Sequence, residues 1–195
     1  MPVDLGFLDK ARWINEPPEW AHDDTGLTLT TAGKTDFWRQ TFYGFEPHTG
    51  HFFGAPVAGD FTAYLTFEAA YETLYDQAGL MLRIDDEHWI KAGIEFSDGA
   101  ANFSVVVARG RSDWSAVRVA DVSGLQTLRM TRIADAVLVH FRDAGGGWQF
   151  LRLADFAPPG EAALGPMACT PQRAGLRVRF ESLTVGPPIA DPLHG

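Results

Sequence analysis

The sequence predicts an all-β fold, a single sandwich of two antiparallel sheets. Three observations point there. Short segments rich in Val, Ile, Phe, Thr and Trp recur along most of the chain. Turn-forming clusters separate them, and no comparable helical periodicity competes. The length of 195 residues suits one large sandwich domain over 1–195 better than two full domains.

Strands are expected at 27–31, 37–43, 61–68, 78–84, 89–96, 102–109, 115–119, 126–133, 136–142, 148–153 and 175–185. Turn chemistry lies between them at Asp85-Asp86-Glu87, Ser97-Asp98-Gly99, Asp135 and Asp143-Ala144-Gly145-Gly146-Gly147. Evenly spaced short strands with such turns favour a sandwich or a barrel. Residues 186–195, Pro-rich from Pro187, read as a loose tail.

Composition narrows the partners. Hydrophobic residues make up 46% and charged residues 21%, an ordinary balance for a packed domain. The net charge of −9, from 25 acidic against 16 basic residues, argues against nucleic acid and against an anionic membrane surface. The single cysteine, Cys169, cannot form an internal disulfide. The stretch Met1–Gly6 lacks the basic-then-apolar pattern of a signal peptide, and no apolar run reaches the ~18 residues of a membrane span. A cytoplasmic location is the simplest expectation, with no cofactor and no metal.

Alternation assigns faces to two strands. Ala78, Leu80, Leu82 and Ile84 share one side, with Gln77, Gly79, Met81 and Arg83 on the other. Ile90, Ala92, Ile94 and Phe96 share one side, with Trp89, Lys91, Gly93 and Glu95 on the other. The short Asp85–His88 connection makes the strands hairpin neighbours, so their second faces form one surface. That surface carries Gln77, Arg83, Trp89, Lys91 and Glu95, an unusual set for a plain solvated face.

Several groups could carry chemistry. In Asp36–Tyr43, Trp38 either stacks a ring-shaped ligand or packs in the core. Arg39 either binds an anion or hydroxyl or serves a structural ion pair. His48 and His51 resemble a metal half-site, but no further ligands follow at zinc spacing, and His51 fits a cleft wall better. Asp76 and Gln77 suit hydroxyl binding, although Asp76 also suits an Asx turn. Lys91 and Glu95 lie about 13 Å apart along an extended strand, leaving room for a ligand or cross-strand groups between them. Trp114, in Ser112-Asp113-Trp114-Ser115, adds an indole to the rim. Asp85, Asp86 and Glu87 could hold Ca²⁺, but a solvated turn explains them as well. Cys169 reads as a small buried hydrophobe, with a thiol activated by Arg173 as the alternative.

The segments TDFWRQTFYG, HTGHFF, YDQAGLMLR, HWIKAGIEF, SDWS and MACTPQRAG carry a resemblance from about Trp13 to Val185. They resemble a family of unknown-function domains that includes the yeast regulation-of-enolase protein and bacterial proteins of concanavalin A-like lectin/glucanase fold. The resemblance implies a jelly-roll sandwich of two antiparallel sheets with one concave face. The glucanase branch carries Glu-x-Asp-x-x-Glu on one strand, and that string is absent here. Retaining hydrolysis needs two carboxyl groups about 5–5.5 Å apart, and the strand of Glu95 has only one.

The leading expectation is therefore a binding module for a carbohydrate or other small polar ligand. Its site would draw on Trp38, Arg39, Tyr43, His51, Asp76, Gln77, Trp89, Lys91, Glu95 and Trp114. One alternative is a regulatory protein-interaction module with a protein partner. A second is a glycosidase-like enzyme using Glu95 as acid/base, with Asp76 the nearest second carboxylate.

Overall fold

The computed structural model describes residues 5–194. The expectations for Met1–Asp4 and for the last tail residue, Gly195, lie outside the described residues. A 3-10 turn at Gly6–Lys10 leads into the strands. In chain order they are β1 (Arg12–Ile14), β2 (Glu19–Asp23), β3 (Gly26–Thr30), β4 (His51–Val57), β5 (Phe61–Ala69), β6 (Gln77–Arg83) and β7 (His88–Ser97). The remainder are β8 (Ala100–Arg109), β9 (Arg111–Arg118), β10 (Gln126–Ile133), β11 (Ala136–Arg142), β12 (Trp148–Asp155), β13 (Ala162–Cys169) and β14 (Arg177–Gly186).

They form two seven-stranded antiparallel sheets. The first runs β1-β4-β13-β6-β7-β8-β9 and the second β12-β11-β10-β5-β14-β3-β2. Non-consecutive neighbours such as β4-β13-β6 and β5-β14-β3 are the crossovers of a jelly roll. The core lies between the sheets. Ala78, Leu80 and Leu82 of β6, with Ile90, Ala92 and Ile94 of β7, meet Phe61, Ala63, Leu65 and Phe67 of β5 there. The faces assigned from alternation are the faces observed.

Some elements depart from expectation. Residues 37–43 are not a strand. Phe37 and Trp38 are adjacent yet both buried, which a two-sided strand cannot achieve without cover on both faces. Phe37 makes one isolated bridge to His48, and the chain then turns back, with Gln40 and Phe42 at positive φ. Strands β4 and β13 escape a propensity reading because they contain Gly54, Pro56, Gly165 and Pro166. Pairing of β13 with β4 lapses at Gly165 and Pro166, where proline has no N–H to donate. Beyond β14, Ile189 N–H bonds Thr62 Oγ1 at 3.1 Å, and Leu193 O lies 3.4 Å from His140 Nε2. Among the described residues no helix is long and apolar enough to cross a membrane.

The outer face of the first sheet decides the rest. The connection from β3 to β4, residues 31–50, lies over part of it. Phe37 and Trp38 pack there with Phe52, Met81, Trp89, Val106, Ala108 and Met167 in a second apolar cluster. Trp89 is fully buried at its centre, 6.2 Å from the Phe37 ring. Trp89→Ala should therefore cost about 3–5 kcal/mol of stability, read as a lower midpoint in urea or guanidinium unfolding. A change within about 0.5 kcal/mol would show that the second cluster does not support the fold.

Candidate functional site

Where the second cluster stops, the outer face becomes polar. Strand register lines up its rows. Cys169, Gln77, Glu95 and Asn102 form one row, and Met167, Gly79, Gly93 and Ser104 the next. Gly165, Met81, Lys91, Val106 and Trp114 form the third. Gly79 and Gly93 pair directly, and a Cβ on Gly93 would sit 2.1 Å from the Ala78 carbonyl. This row, bare at its two glycines, explains how Lys91 and Gln77 meet from rows four residues apart along the strand. Its ammonium donates to Gln77 Oε1 at 2.7 Å and lies 3.4 Å from Asp36 Oδ1.

Glu95 stands opposite Gln77 and lines the same cleft. Its Oε2 accepts from Ser104 Oγ at 2.8 Å, and Ser104 Oγ accepts from the Trp114 indole at 2.9 Å. No hydrogen bond from the described residues reaches Glu95 Oε1. Lys91 has three N–H donors and spends two. The floor thus keeps one carboxylate oxygen and one N–H with no partner among the described residues.

Walls rise from three loops. Trp38, Tyr43 and Phe45 come from residues 31–50, Tyr75 from the β5–β6 loop, and Pro171 and Gln172 from the β13–β14 loop. Trp114 closes the remaining side from β9. Tyr43 and Tyr75 join their hydroxyls at 3.0 Å across the rim. That bond, followed by burial, pushes the Tyr75 phenol up to about 12, so it stays protonated. The enclosed volume is about 180 Å³. Pockets for drug-sized ligands hold ~300–1,000 Å³, so this one suits a single small ring.

Of the ten residues expected at the site, six line this cleft: Trp38, Tyr43, Gln77, Lys91, Glu95 and Trp114. Four do not. Trp89 is fully buried within the second cluster and cannot stack on a ligand. Arg39 is buried and donates Nε to the Gly110 carbonyl and Nη2 to Glu87, with Glu46 at 3.4 Å. It ties the 31–50 loop to the β8–β9 turn. His51 shares the inward parity of Phe53 and Ala55. Its Nε2 accepts from Ala32 N–H at 3.0 Å, leaving Nδ1–H for the Asn15 carbonyl at 2.5 Å. Burial lowers its pKa, against the Asn15 bond, so it is a neutral structural histidine. Asp76 is fully buried and accepts from Glu72 N–H, Thr73 N–H, Arg173 Nε and Arg173 Nη2. It is not available as a second catalytic carboxylate. It locks together the two loops that carry Tyr75 and Gln172.

Asp36, Phe45, Tyr75, Ser104, Val106, Pro171 and Gln172 were not singled out for the site, although several fall within segments that carry the resemblance. Nothing local marks Ser104 or Val106 as outward-facing, but register of Ser104 with Gly93 and of Val106 with Lys91 and Trp114 does. Burial drives the Cys169 thiol well above its usual range, and Arg173 is occupied by Asp76, so the activated-thiol alternative falls. Asp85 accepts from Glu87 N–H and His88 N–H within its own turn, and Glu87 pairs with Arg39. Among the described residues no group of three or more His, Cys, Asp or Glu side chains converges as a metal site.

Electrostatics of the floor follow from burial. For Lys91, burial opposes the ammonium, but Asp36 and Glu95 outweigh it and its pKa is raised. For Glu95, burial raises the pKa, and Lys91 and Ser104 only partly offset this. The folded state therefore holds the Glu95 proton to higher pH than the unfolded chain. Its contribution to stability is present at low pH and falls as pH rises above the unfolded value of about 4.3. Glu95→Gln should flatten that decline in urea midpoints measured across pH, and an unchanged slope would remove Glu95 as its source. Asp76→Ala should lower stability by about 1–3 kcal/mol, measured by chemical denaturation, because the Glu72 and Thr73 N–H groups lose their buried acceptor while Arg173 keeps only Glu72 and the Ala70 carbonyl.

Residues 13–188 match the family described as "Protein of unknown function (DUF1349)". Regulation of enolase protein 1 of Saccharomyces cerevisiae is 42% identical over 187 residues, covering 96% of this chain and 94% of that protein. The crystal structure of a functionally unknown protein from Saccharomyces cerevisiae superposes with a TM-score of 0.89 at 42% identity, over 94% of this chain and 99% of that one. Two further structures share the fold alone. A legume lectin-like domain from Entamoeba histolytica has a TM-score of 0.65 at 12% identity, covering 96% of each chain. The carbohydrate-binding module CBM66 of Bacillus subtilis has 0.56 at 14% identity, covering 91% and 96%.

Proposed function

This chain belongs to the DUF1349 family, and from that premise we propose that it is a binding module for a single sugar ring or a ring-like polar molecule. The observation that carries this reading is the cleft itself. Its walls are aromatic, and its floor offers Lys91, Gln77 and Glu95 already oriented by Asp36, Ser104 and Trp114. A pyranose or furanose needs both parts, an apolar wall for its C–H face and fixed partners for its hydroxyls. Pre-formed hydrogen bonds on the floor reduce the ordering cost of binding. The lectin-like and carbohydrate-binding neighbours agree with the reading but share only fold, which does not choose a function.

Hydrolysis is less well supported. Asp76 is committed to Arg173, and the other carboxylate lining the cleft, Asp36, lies beside Lys91. An ammonium next to that carboxylate is poor company for a nucleophile that must bond to a cationic centre. The regulatory reading has the name of the yeast relative in its favour, with exposed Phe42, Tyr43 and Phe45 as a docking surface. The free, buried Cys169 fits a reducing compartment, and the cytoplasm is the location proposed.

Isothermal titration against glucose, galactose, xylose, arabinose and fructose, guided by a glycan array, tests the binding reading. At least one saccharide should bind, and Trp114→Ala should weaken it about tenfold or more while leaving the unfolding midpoint nearly unchanged. Absence of binding across the array, with no thermal shift from any of the five sugars, would overturn it.

A further inference from the structure

Resting on the sugar-ring reading, we infer that the ligand is the end of a saccharide chain, one ring filling the cleft and the next lying outside it against Trp114 and Phe42. A long saccharide crossing a sheet needs a groove open at both ends. Here the 31–50 loop closes one direction, because Phe37 and Trp38 are packed onto Trp89, Met81 and Phe52. Tyr75, Pro171 and Gln172 bound the cleft, and Tyr43 bridges to Tyr75. A chain running through the cleft would need a second exit past these walls, whereas a terminal ring needs one opening.

One way out is built. An open groove of about 520 Å³ adjoins the cleft and shares Trp38, Tyr43 and Trp114 with it. It adds Thr41, Phe42, Ser112 and Asp113. The Trp114 indole is held in orientation by Ser104, so one aromatic wall serves both spaces. Thr41 and Asp113 give the groove a polar edge, with Asp113 bonded to Arg152.

Phe42 is the independent observation. It is 92% exposed and has φ of 63°. A bulky L-residue in the left-handed region costs about 1–2 kcal/mol, and an exposed phenyl gains nothing back from burial. The conformation is held by Tyr43 N–H to the Thr41 carbonyl at 2.8 Å and Gly44 N–H to the Gln40 carbonyl at 2.6 Å. Gln40, two residues earlier, also has positive φ. Strain retained at the lip of a groove, to present an aromatic ring, is what a stacking platform requires.

The test titrates glucose, galactose, xylose, arabinose and fructose, and the di- and tetrasaccharides of each, into the wild-type chain and into Phe42→Gly. Glycine relieves the positive φ, so the variant's melting temperature should not fall. For the sugar that binds, the disaccharide should bind about five- to tenfold tighter than the monosaccharide, and the tetrasaccharide within about twofold of the disaccharide. Phe42→Gly should erase the disaccharide gain and leave monosaccharide affinity unchanged. Affinity that climbs with each added ring, or a disaccharide gain that survives in Phe42→Gly, overturns the inference while the cleft reading stands. The second result is also what a Phe42 reserved for a protein partner would give. If no saccharide binds the wild-type chain, the cleft reading falls and the chain-end inference falls with it.

Discussion

The packing of Phe37 and Trp38 onto the outer face of the first sheet sets the limits of everything polar on that face. An outward tryptophan and two outward methionine side chains would otherwise meet water. Covering them with residues 31–50 makes a second apolar cluster on the far side of the sheet from the main core. The cover is fastened near its start and at its middle. His51 joins Ala32 to Asn15, and Arg39 joins the loop to Gly110 and Glu87. The cleft is the part of the sheet that this cover leaves open, which is why its walls are loop aromatics and its floor is strand.

Within that floor, burying an ammonium forces the neighbouring chemistry. An unpaired buried charge is very costly, so Lys91 must find acceptors. It finds Gln77 and Asp36, and the side-chain-free pair Gly79 and Gly93 lets its stem cross to them. Glu95, two residues beyond Gly93, is left with Ser104 and a raised pKa. The same residues that satisfy Lys91 therefore leave Glu95 as an acceptor with an open side.

Loop-to-loop ion pairing supplies the rigidity such a site needs. Asp76 and Arg173 are remote from any ligand in chemical role, yet they hold the β5–β6 and β13–β14 loops whose tips wall the cleft. A carboxylate accepting four bonds cannot act on a substrate. Binding surfaces carried on loops gain affinity when such contacts restrict the loops beforehand.

The sequence by itself determined the fold class, the inward faces of β6 and β7, and the hairpin that puts Gln77, Lys91 and Glu95 on one surface. Those follow from period-two alternation and turn chemistry, which are local. It also carried the resemblance that names the family. Only the tertiary structure decided that Trp89 is covered while Trp114 is not, because both are outward-facing indoles and the difference lies in a loop fifty residues away. Local pattern equally could not separate Asp76, consumed by Arg173 almost a hundred residues later, from Asp36, which reaches Lys91. Strands β4 and β13, with their glycines and prolines, are held by pairing with neighbours rather than by their own propensity. Cover, pairing and ion-pair choice are long-range properties, and they turn a polar sheet face into a closed cleft.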